Sequence, residues 1–515
     1  MDIQKKLAEY VYKFNGSDEE CYKNDIDNEH AYEWMAENIP LIECPDKTLE
    51  MIYYFRWWTF RKHIKNTCDG YVITEFLPEV PWSGRHNAIA APVGHHIAEA
   101  KWLKCRKKLI EEYAMFWLNG NEDIYSYSNW LIYALYEYSE FSNDYSFGID
   151  NLDKLIYMYG RWEKEHKTDT GLFWSIDAKD AMEFSISGVN SELRGERGIR
   201  PTLNSYMAAN AKAISAFAKK AGNKVIESLY EKKAEEIASK MTQLLWDGDF
   251  FKAVHSKNPD KFPAVNELAA DRNVMELLGY IPWEFNLVPA GYEEAFKYLK
   301  DEQCFNAPKG LTTADMRHKR FMYKAEHECL WNGYVWPFAT SQTLNAVINL
   351  LNNYEQKIIS KKDFYNMLKK YAECHFRTGE DGKTVCWIDE VLDPFTGEWT
   401  AREILKSKKW DKNTGGYERG KDYNHSAFCD ITLRGLLGIN FVNSEIVLKP
   451  LIPDEWEYFM VDNLYMGNRR ISIYYDKYGE HYHLGRGITV KESVNEIVKD
   501  TDMADYFPQT GIKDE

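Results

Sequence analysis

The sequence predicts a mainly α fold: a closed ring of helical hairpins followed by a small β appendage. Three observations carry that class. Apolar residues recur at helical spacing in paired segments, each pair spanning about forty residues. Loops rich in Trp, Asp, Gly and Pro separate the pairs, and near the end the pattern changes to apolar–polar alternation. No fixed-period repeat is present, which argues against an open solenoid of copied units. A ring buries both helix layers and gathers the loops at one mouth.

Taken in order, residues 1–80 read as an N-terminal lead-in segment, in which "GYVITEFLP" is either a strand or a loop. Residues 81–442 form the ring, with helical patterns at 94–118, 128–142 and 149–166. The clearest hairpin follows: Met207, Ala211, Ile214, Phe217 and Ala218 share one helix face, Gly222-Asn223 stops that helix, and Ile226, Tyr230, Ala234, Ile237, Met241 and Leu244 line the next. A second hairpin sets Leu344, Val347 and Leu351 against Phe364, Leu368 and Tyr371, with Ser360 opening its later helix. Within residues 443–515, the stretches "SEIVLKPLI" and "NRRISIYYDKYGEHYHLGRGITVKE" alternate as strands, with turns at Lys477-Tyr478-Gly479 and Gly485-Arg486-Gly487.

Composition narrows the function. The chain has 515 residues, 44% of them hydrophobic, enough for a large core. A formal net charge of −16 argues against nucleic acid and anionic membrane surfaces, which both need basic patches. No apolar run approaches a membrane span, and the start lacks an apolar signal region. Nine scattered cysteines without a C-x-x-C pair read as free thiols, which points to the cytoplasm. The aromatic share, 15% with 17 Trp and 35 Tyr, suits a large helical core or surfaces that stack sugar rings.

Cofactor motifs are absent from the sequence. The histidines of "GHHIAEAKW" and "EHEC" form no H-E-x-x-H or paired Glu-x-x-His set, so no metal is expected. There is no G-x-G-x-x-G, P-loop or G-x-S-x-G either, and no cofactor is expected. What remains is carboxylates in aromatic loops. "WSIDAKDAMEFSISG" holds Asp177, Asp180 and Glu183; "WIDEVLDPFTGEW" holds Asp389, Glu390 and Asp393; between them lies "ECLWNGYVWPF". Glycoside hydrolysis needs one protonated and one ionised carboxyl on opposite faces of a sugar, beside aromatic walls. Two such distant loops meet only if the chain closes into a ring.

Four pieces, in order, resemble the clan of trehalases, processing α-glucosidases and mannosylglycerate hydrolases. "RPTLNSYMAANAKAIS" is similar to its D-L-N-x-Y-L segment, "ECLWNGYVWPFATSQTL" to W-x-G-P-[VI]-W-P, "EVLDPFTG" to E-N-Y-D-P-x-T-G, and "YNHSAFCDITLRGLLGI" to F-x-W-S-A-A. The resemblance spans roughly residues 75–440. It implies an (α/α)6 barrel, a carbohydrate substrate and an inverting hydrolase. It implies that Glu390 is the general base. Glu183 stands where the clan's acid is an Asp, and Asp180, three residues earlier on the same helical face, is the second candidate. Trp82, Arg85, Asn87, Trp130, Asn204, Trp331 and Trp336 are the expected substrate-binding side chains, packing between hairpins being their other role. His425 contacts sugar or braces the Glu390 loop. Tyr334 replaces the clan's Pro, and "PWSGRHNAIAAPVGHHI" lacks the Asp of W-D-x-x-F, so the clan's particular sugars do not transfer. The rival readings are a phosphorylase or a lyase on the same barrel, and a carbohydrate-binding protein without catalysis.

Overall fold

The structure is a computed structural model that describes residues 3–188, 197–256, 265–266, 272–323, 326–443, 445–467 and 469–494. The chain starts with α1 (Ile3–Asn15) and α2 (Ala31–Asn38), which pack on α3 (Lys47–Phe60). Then come α4 (Val93–Ala100), α5 (Arg106–Leu118), α6 (Leu131–Ser142), α7 (Ser146–Asp150), α8 (Leu152–His166), α9 (Pro201–Lys220) and α10 (Lys224–Leu245). After α11 (Ile281–Glu284) and a 3₁₀ segment at Glu293–Leu299 follow α12 (Pro337–Asn353), α13 (Lys361–Glu373), α14 (Thr400–Ser407) and α15 (Phe428–Asp430), the last continuing as a π-helical turn, Ile431–Leu436.

These helices close an (α/α)6 barrel. In the inner layer α4 packs on α6, α6 on α9, α9 on α11, α11 on α12, α12 on the 431–436 turn, and α15 back on α4. The outer layer consists of α5, α8, α10, the 293–299 segment, α13 and α3. Helix α3 fills the sixth outer position, between α13 and α15, and is buried at all but one residue from Leu49 to Phe60. The first eighty residues thus contribute a barrel helix.

Burial follows layer. Inner α12 is buried continuously from Pro337 to Leu350, so it carries apolar and small polar side chains all round. Outer α10 buries one stripe, Tyr230, Ala234, Ile237, Met241 and Leu245, and leaves its charged face to water. Between α9 and α10, Gly222 adopts φ +73°, the left-handed conformation that ends a helix, and Asn223 accepts the Ile226 N–H at 3.2 Å to start the next. A capping box formed by Ser360 and Asp363 opens α13.

The pattern at 94–118 is two helices, because the chain turns at residues 101–105 from the inner layer to the outer. "GYVITEFLP" proves to be both things: Gly70–Ile73 pairs with Ile64–Thr67, and the chain then leaves the strand so that Glu75 enters a loop. The C-terminal strands Tyr458–Met466, Arg469–Asp476 and Gly487–Val494 form an antiparallel sheet, completed by Leu41–Glu43 from near the N-terminus. Residues 495–515 of the expected appendage lie outside the described residues.

Candidate active site

Asp389, Glu390 and Asp393 have three separate jobs. Asp393 makes the turn, accepting the N–H groups of Phe395 and Thr396 at 2.9 and 2.8 Å. Asp389, 1% exposed, accepts the Glu390 N–H at 2.8 Å. Glu390 alone reaches the barrel cavity. The loop is pinned to residues 328–338 by paired backbone hydrogen bonds between Leu392 and Val335, 2.9 and 3.0 Å. Gly420 is required here: a Cβ at that position would lie 1.8 Å from Asp389 Oδ1.

The loop carrying Glu183 is held in an unusual shape. Ala181 and Phe184 have φ of +56° and +60°, each costing about 1–2 kcal/mol for a non-glycine residue. Such strain persists only where the surroundings over-determine it. The Trp331 N–H donates to the Glu183 carbonyl at 3.0 Å, and the Cys329 thiol donates to its carboxylate at 3.2 Å.

Both loops open onto one cavity of about 380 Å³. Its walls are aromatic: Trp331 and Trp336 stack with centroids 4.5 Å apart, and Trp82, Trp410 and Tyr423 line other sides. The two glutamates sit in opposite electrostatic settings. Glu390 receives the Arg419 Nε–H at 2.8 Å, and Arg419 also lies 3.6 Å from Glu328, whose charge Lys408 shares at 2.7 Å. The guanidinium also lies against Trp82 and Trp410, 4.6 Å from each centroid, the two rings meeting at a tilt 6.0 Å apart. Burial raises the pKa of Glu390, and the Arg419 charge opposes that rise. Glu183 has no ion-pair partner among the described residues: burial first, then Glu390, pushes it up to about 7. Burial thus raises both carboxyls, and the cation beside Glu390 favours its ionised form in a way that Glu183 lacks.

Six of the sequence-derived candidates meet at this cavity: Glu183, Glu390, Trp82, Trp331, Trp336 and His425. Trp82 stands at the rim, 39% exposed. His425 is buried, burial holds its pKa far below the usual range, and neither ring nitrogen has a well-formed hydrogen bond.

Five candidates are placed elsewhere. Asp180 is locked in an ion pair with Arg200 at 2.8 Å and accepts from Ser128 and Ser175, both at 2.7 Å, so it anchors the loop behind Glu183. Arg85 lies on the surface against Asp69. Asn87 binds the Phe76 and Pro78 carbonyls at 2.9 and 2.8 Å. Trp130 packs on Gly94 and Tyr206 in the inner layer. Asn204 bridges α9 to Phe173 through both its N–H and its carbonyl.

Sequence reading missed Glu75, Tyr127, Glu328, Cys329, Trp410, Arg419 and Tyr423 at this cavity. The signal for Arg419 was its place in a Gly-rich stretch, "TGGYERG", just before the "YNHSAF" segment. For metals, one group among the described residues has ligand-type atoms close together: Cys68, Asp69 and His86, within 4.8 Å of one another. It lies outside the cavity, and the Arg85 guanidinium occupies it, 2.6 Å from Asp69 and 3.6 Å from Cys68.

A buried-acid barrel makes stability depend on pH. Burial above all raises Asp177, Glu183 and Asp389 to about 7, and Glu75, Glu99 and Glu284 to about 8. Each holds a proton in the folded state that the unfolded chain has lost. Their contribution is intact below the ordinary carboxyl pKa and lost as pH rises through 7 to 8. Buried His63, His95, His96 and His425 shift down, so they oppose folding below their ordinary 6.5 and have no effect above it. The two sets offset each other between about pH 5 and 6.5, and the carboxyls alone act above. Calorimetry is therefore expected to show a level Tm between about pH 5 and 6.5 and a falling one to about pH 8.5; a Tm that rises over the upper range contradicts the scheme.

A barrel with a Trp-walled cavity and two buried glutamates at it matches the architecture of a glycoside hydrolase domain. The chain belongs to the MGH1-like glycoside hydrolase family: residues 85–426 match the family model described as "Mannosylglycerate hydrolase MGH1-like glycoside hydrolase domain". Among solved structures it is similar to a sialidase, 35% identical over 95% of this chain, with a TM-score of 0.84. The chain spans 43% of that sialidase's length. It shares its fold with a GH78 family rhamnosidase of Bacillus sp. GL1, at 11% identity over 85% of this chain and 40% of that one, TM-score 0.57. It also shares it with the GH63 mannosylglycerate hydrolase of Thermus thermophilus, at 10% identity over 74% of this chain and 99% of that one, TM-score 0.51. No helix among the described residues is long and apolar enough to cross a membrane.

Proposed function

We propose that this glycoside hydrolase is an inverting enzyme for an uncharged glycoside, with Glu183 as general acid and Glu390 as general base. The observation that carries the reading is that one cavity holds both: Glu183 without a cation and Glu390 on Arg419. In this scheme the sugar stacks against Trp331 and Trp336. Glu183 gives its proton to the departing glycosidic oxygen, and Glu390 takes a proton from water attacking the opposite face. Arg419 binds one oxygen of Glu390 and leaves the other for that water. An uncharged substrate fits because Arg419 is already engaged by Glu390 and Glu328, so a substrate carboxylate would have to compete for it. The nine cysteines are all free thiols, which supports a reducing, cytoplasmic setting. The catalytic unit comprises the barrel together with α3, and the C-terminal sheet packs on it.

The test is a panel of 4-nitrophenyl glycosides and disaccharides, including rhamnosides, mannosides and a sialoside, with the first-formed anomer of the product followed by NMR. Hydrolysis of an uncharged member with inverted configuration is the expected result. Retention, dependence on added phosphate, or unsaturated products from anionic polysaccharides each rejects the mechanism.

The alkaline limb of kcat/KM should fall near pH 7, where Glu183 loses its proton. Cys329→Ala removes a hydrogen bond to the ionised form, so that limb moves to higher pH, and Cys329→Ser restores it. A limb unmoved by Cys329→Ala dissociates it from Glu183.

A further inference from the structure

A two-carboxyl mechanism leaves one cavity acid without a role. Glu75 is 6% exposed, lines the same cavity as Glu183 and Glu390, and has no ion-pair partner among the described residues. Three buried carboxyls elsewhere in the barrel are better matched. Asp430 has Lys101 at 2.8 Å, Glu99 accepts the N–H groups of Cys429 and Asp430 at 2.9 and 3.2 Å, and Glu284 accepts from the Gln342 and Asn345 amides at 3.1 and 3.3 Å. Among the described residues the Glu75 carboxyl has only the Tyr423 hydroxyl, which donates to one of its oxygens. An under-matched buried carboxyl costs stability, and nothing in the packing requires one here.

Its backbone is held with care all the same. Asn424 N–H donates to the Glu75 carbonyl at 3.0 Å and the Asn424 side chain to the Thr74 carbonyl at 3.1 Å, which zips the chain at 74–75 to 423–424 across the barrel seam. Tyr423 is fixed in turn, its ring 3.7 Å from that of His425 and 4.6 Å from that of Phe76.

We propose that Glu75 and Tyr423 form a hydroxyl-binding pair that fixes the ring of an uncharged sugar in the cavity shared with Glu183 and Glu390. The proposal rests on the hydrolase reading for its ligand class. Burial, with Glu390 and Glu183 nearby, raises the Glu75 pKa to about 8. At neutral pH it is a carboxylic acid, able both to accept and to donate a hydrogen bond, as a sugar hydroxyl requires. Tyr423 supplies the bond to one oxygen, and the other oxygen serves the ligand. An anionic sugar group placed there would meet the charge of Glu390, itself tied to Arg419, which makes the pair a determinant for uncharged rings.

The test uses the full chain with Glu390→Gln, so that binding is read without turnover. Affinity is followed by tryptophan fluorescence for the glycoside that wild type hydrolyses, or for free L-rhamnose, D-mannose and D-glucose if it hydrolyses none. Adding Glu75→Ala is expected to weaken binding about tenfold or more, the loss of one buried hydrogen-bond partner. Adding Glu75→Gln, which keeps a donor and an acceptor, should cost clearly less, and Tyr423→Phe, which removes only the hydroxyl, should fall between. Tm is measured for each, and the Tyr423→Phe arm decides if Glu75→Ala does not fold. Affinity unaffected by Glu75→Ala or by Tyr423→Phe overturns the proposal, as does a loss with Glu75→Gln equal to that with Glu75→Ala, or binding of none of the sugars. Sugar binding that depends on Glu75 in a chain without hydrolysis upholds the pair and rejects the hydrolase reading; hydrolysis with Glu75-independent binding does the reverse.

Discussion

Replacing Glu390 by glutamine should lower kcat by about 10³-fold while the protein remains folded, the scale of a lost general base. Gln keeps the shape and an oxygen for the Arg419 Nε–H, but it cannot take a proton from water. Breaking a buried ion pair ordinarily costs about 3–5 kcal/mol, because the surviving charge is stranded. Arg419 is not stranded, since Glu328 lies 3.6 Å away and the rings of Trp82 and Trp410 lie 4.6 Å from it. The Tm of the Glu390→Gln protein should therefore fall by far less than that figure implies. Steady-state kinetics beside calorimetry checks this, and a variant that is fully active removes Glu390 from the mechanism.

Glu183 and Asp180, three residues apart, are expected to fail in opposite ways. Glu183→Gln should abolish the proton donor and cut turnover about 10²–10⁴-fold on substrates with poor leaving groups. The loss should be far smaller on 4-nitrophenyl glycosides, whose leaving group needs little protonation. Its fold should persist, because the carboxyl has only the Cys329 thiol as side-chain partner. Asp180→Ala instead leaves Arg200 buried and unpaired, a cost of about 3–5 kcal/mol, read as a lower denaturation midpoint. Arg200 is 1% exposed, and its remaining hydrogen-bond partners among the described residues are the hydroxyls of Ser187 and Ser185 at 3.1 and 3.3 Å and the Met182 sulfur at 3.9 Å. The protein that does fold should still turn over substrate. A stable but inactive Asp180→Ala protein would exchange the two roles.

The reason one candidate faces the cavity and the other does not is geometric. A shared helical face suggested that Asp180 and Glu183 point the same way. The segment is instead a short 3₁₀ turn broken at Ala181, whose positive φ reverses the chain, so Asp180 points to Arg200 and Glu183 to the cavity. Arg85 and Asn87 sit in "PWSGRHNAIAAPVGHHI", a segment expected to meet substrate. That loop turns at His86 and Asn87, with φ of +57° and +58°, which sends Asn87 back to its own backbone and Arg85 outward. Position along a loop does not determine side-chain direction where the backbone leaves the common conformations.

The hairpins at 201–245 and 337–373 were readable in advance because helical periodicity, a stop at Gly222 and a cap at Ser360 are local properties, decided within a few residues of themselves. The same holds for the irregular acidic loop, where Asp393 and its neighbours dictate a turn. The sequence by itself thus determined the helical class, the position of Glu390 in a non-helical loop, and the Trp pair beside it. Only the tertiary structure decided which strangers meet: α3 closing the ring between α13 and α15, Arg419 on Glu390, and Tyr423 on Glu75 across 348 positions of chain. The physical reason is that ring closure and the pairing of buried charges are set by the barrel's global packing. That packing brings remote residues together through burial and electrostatics that no short stretch of sequence records.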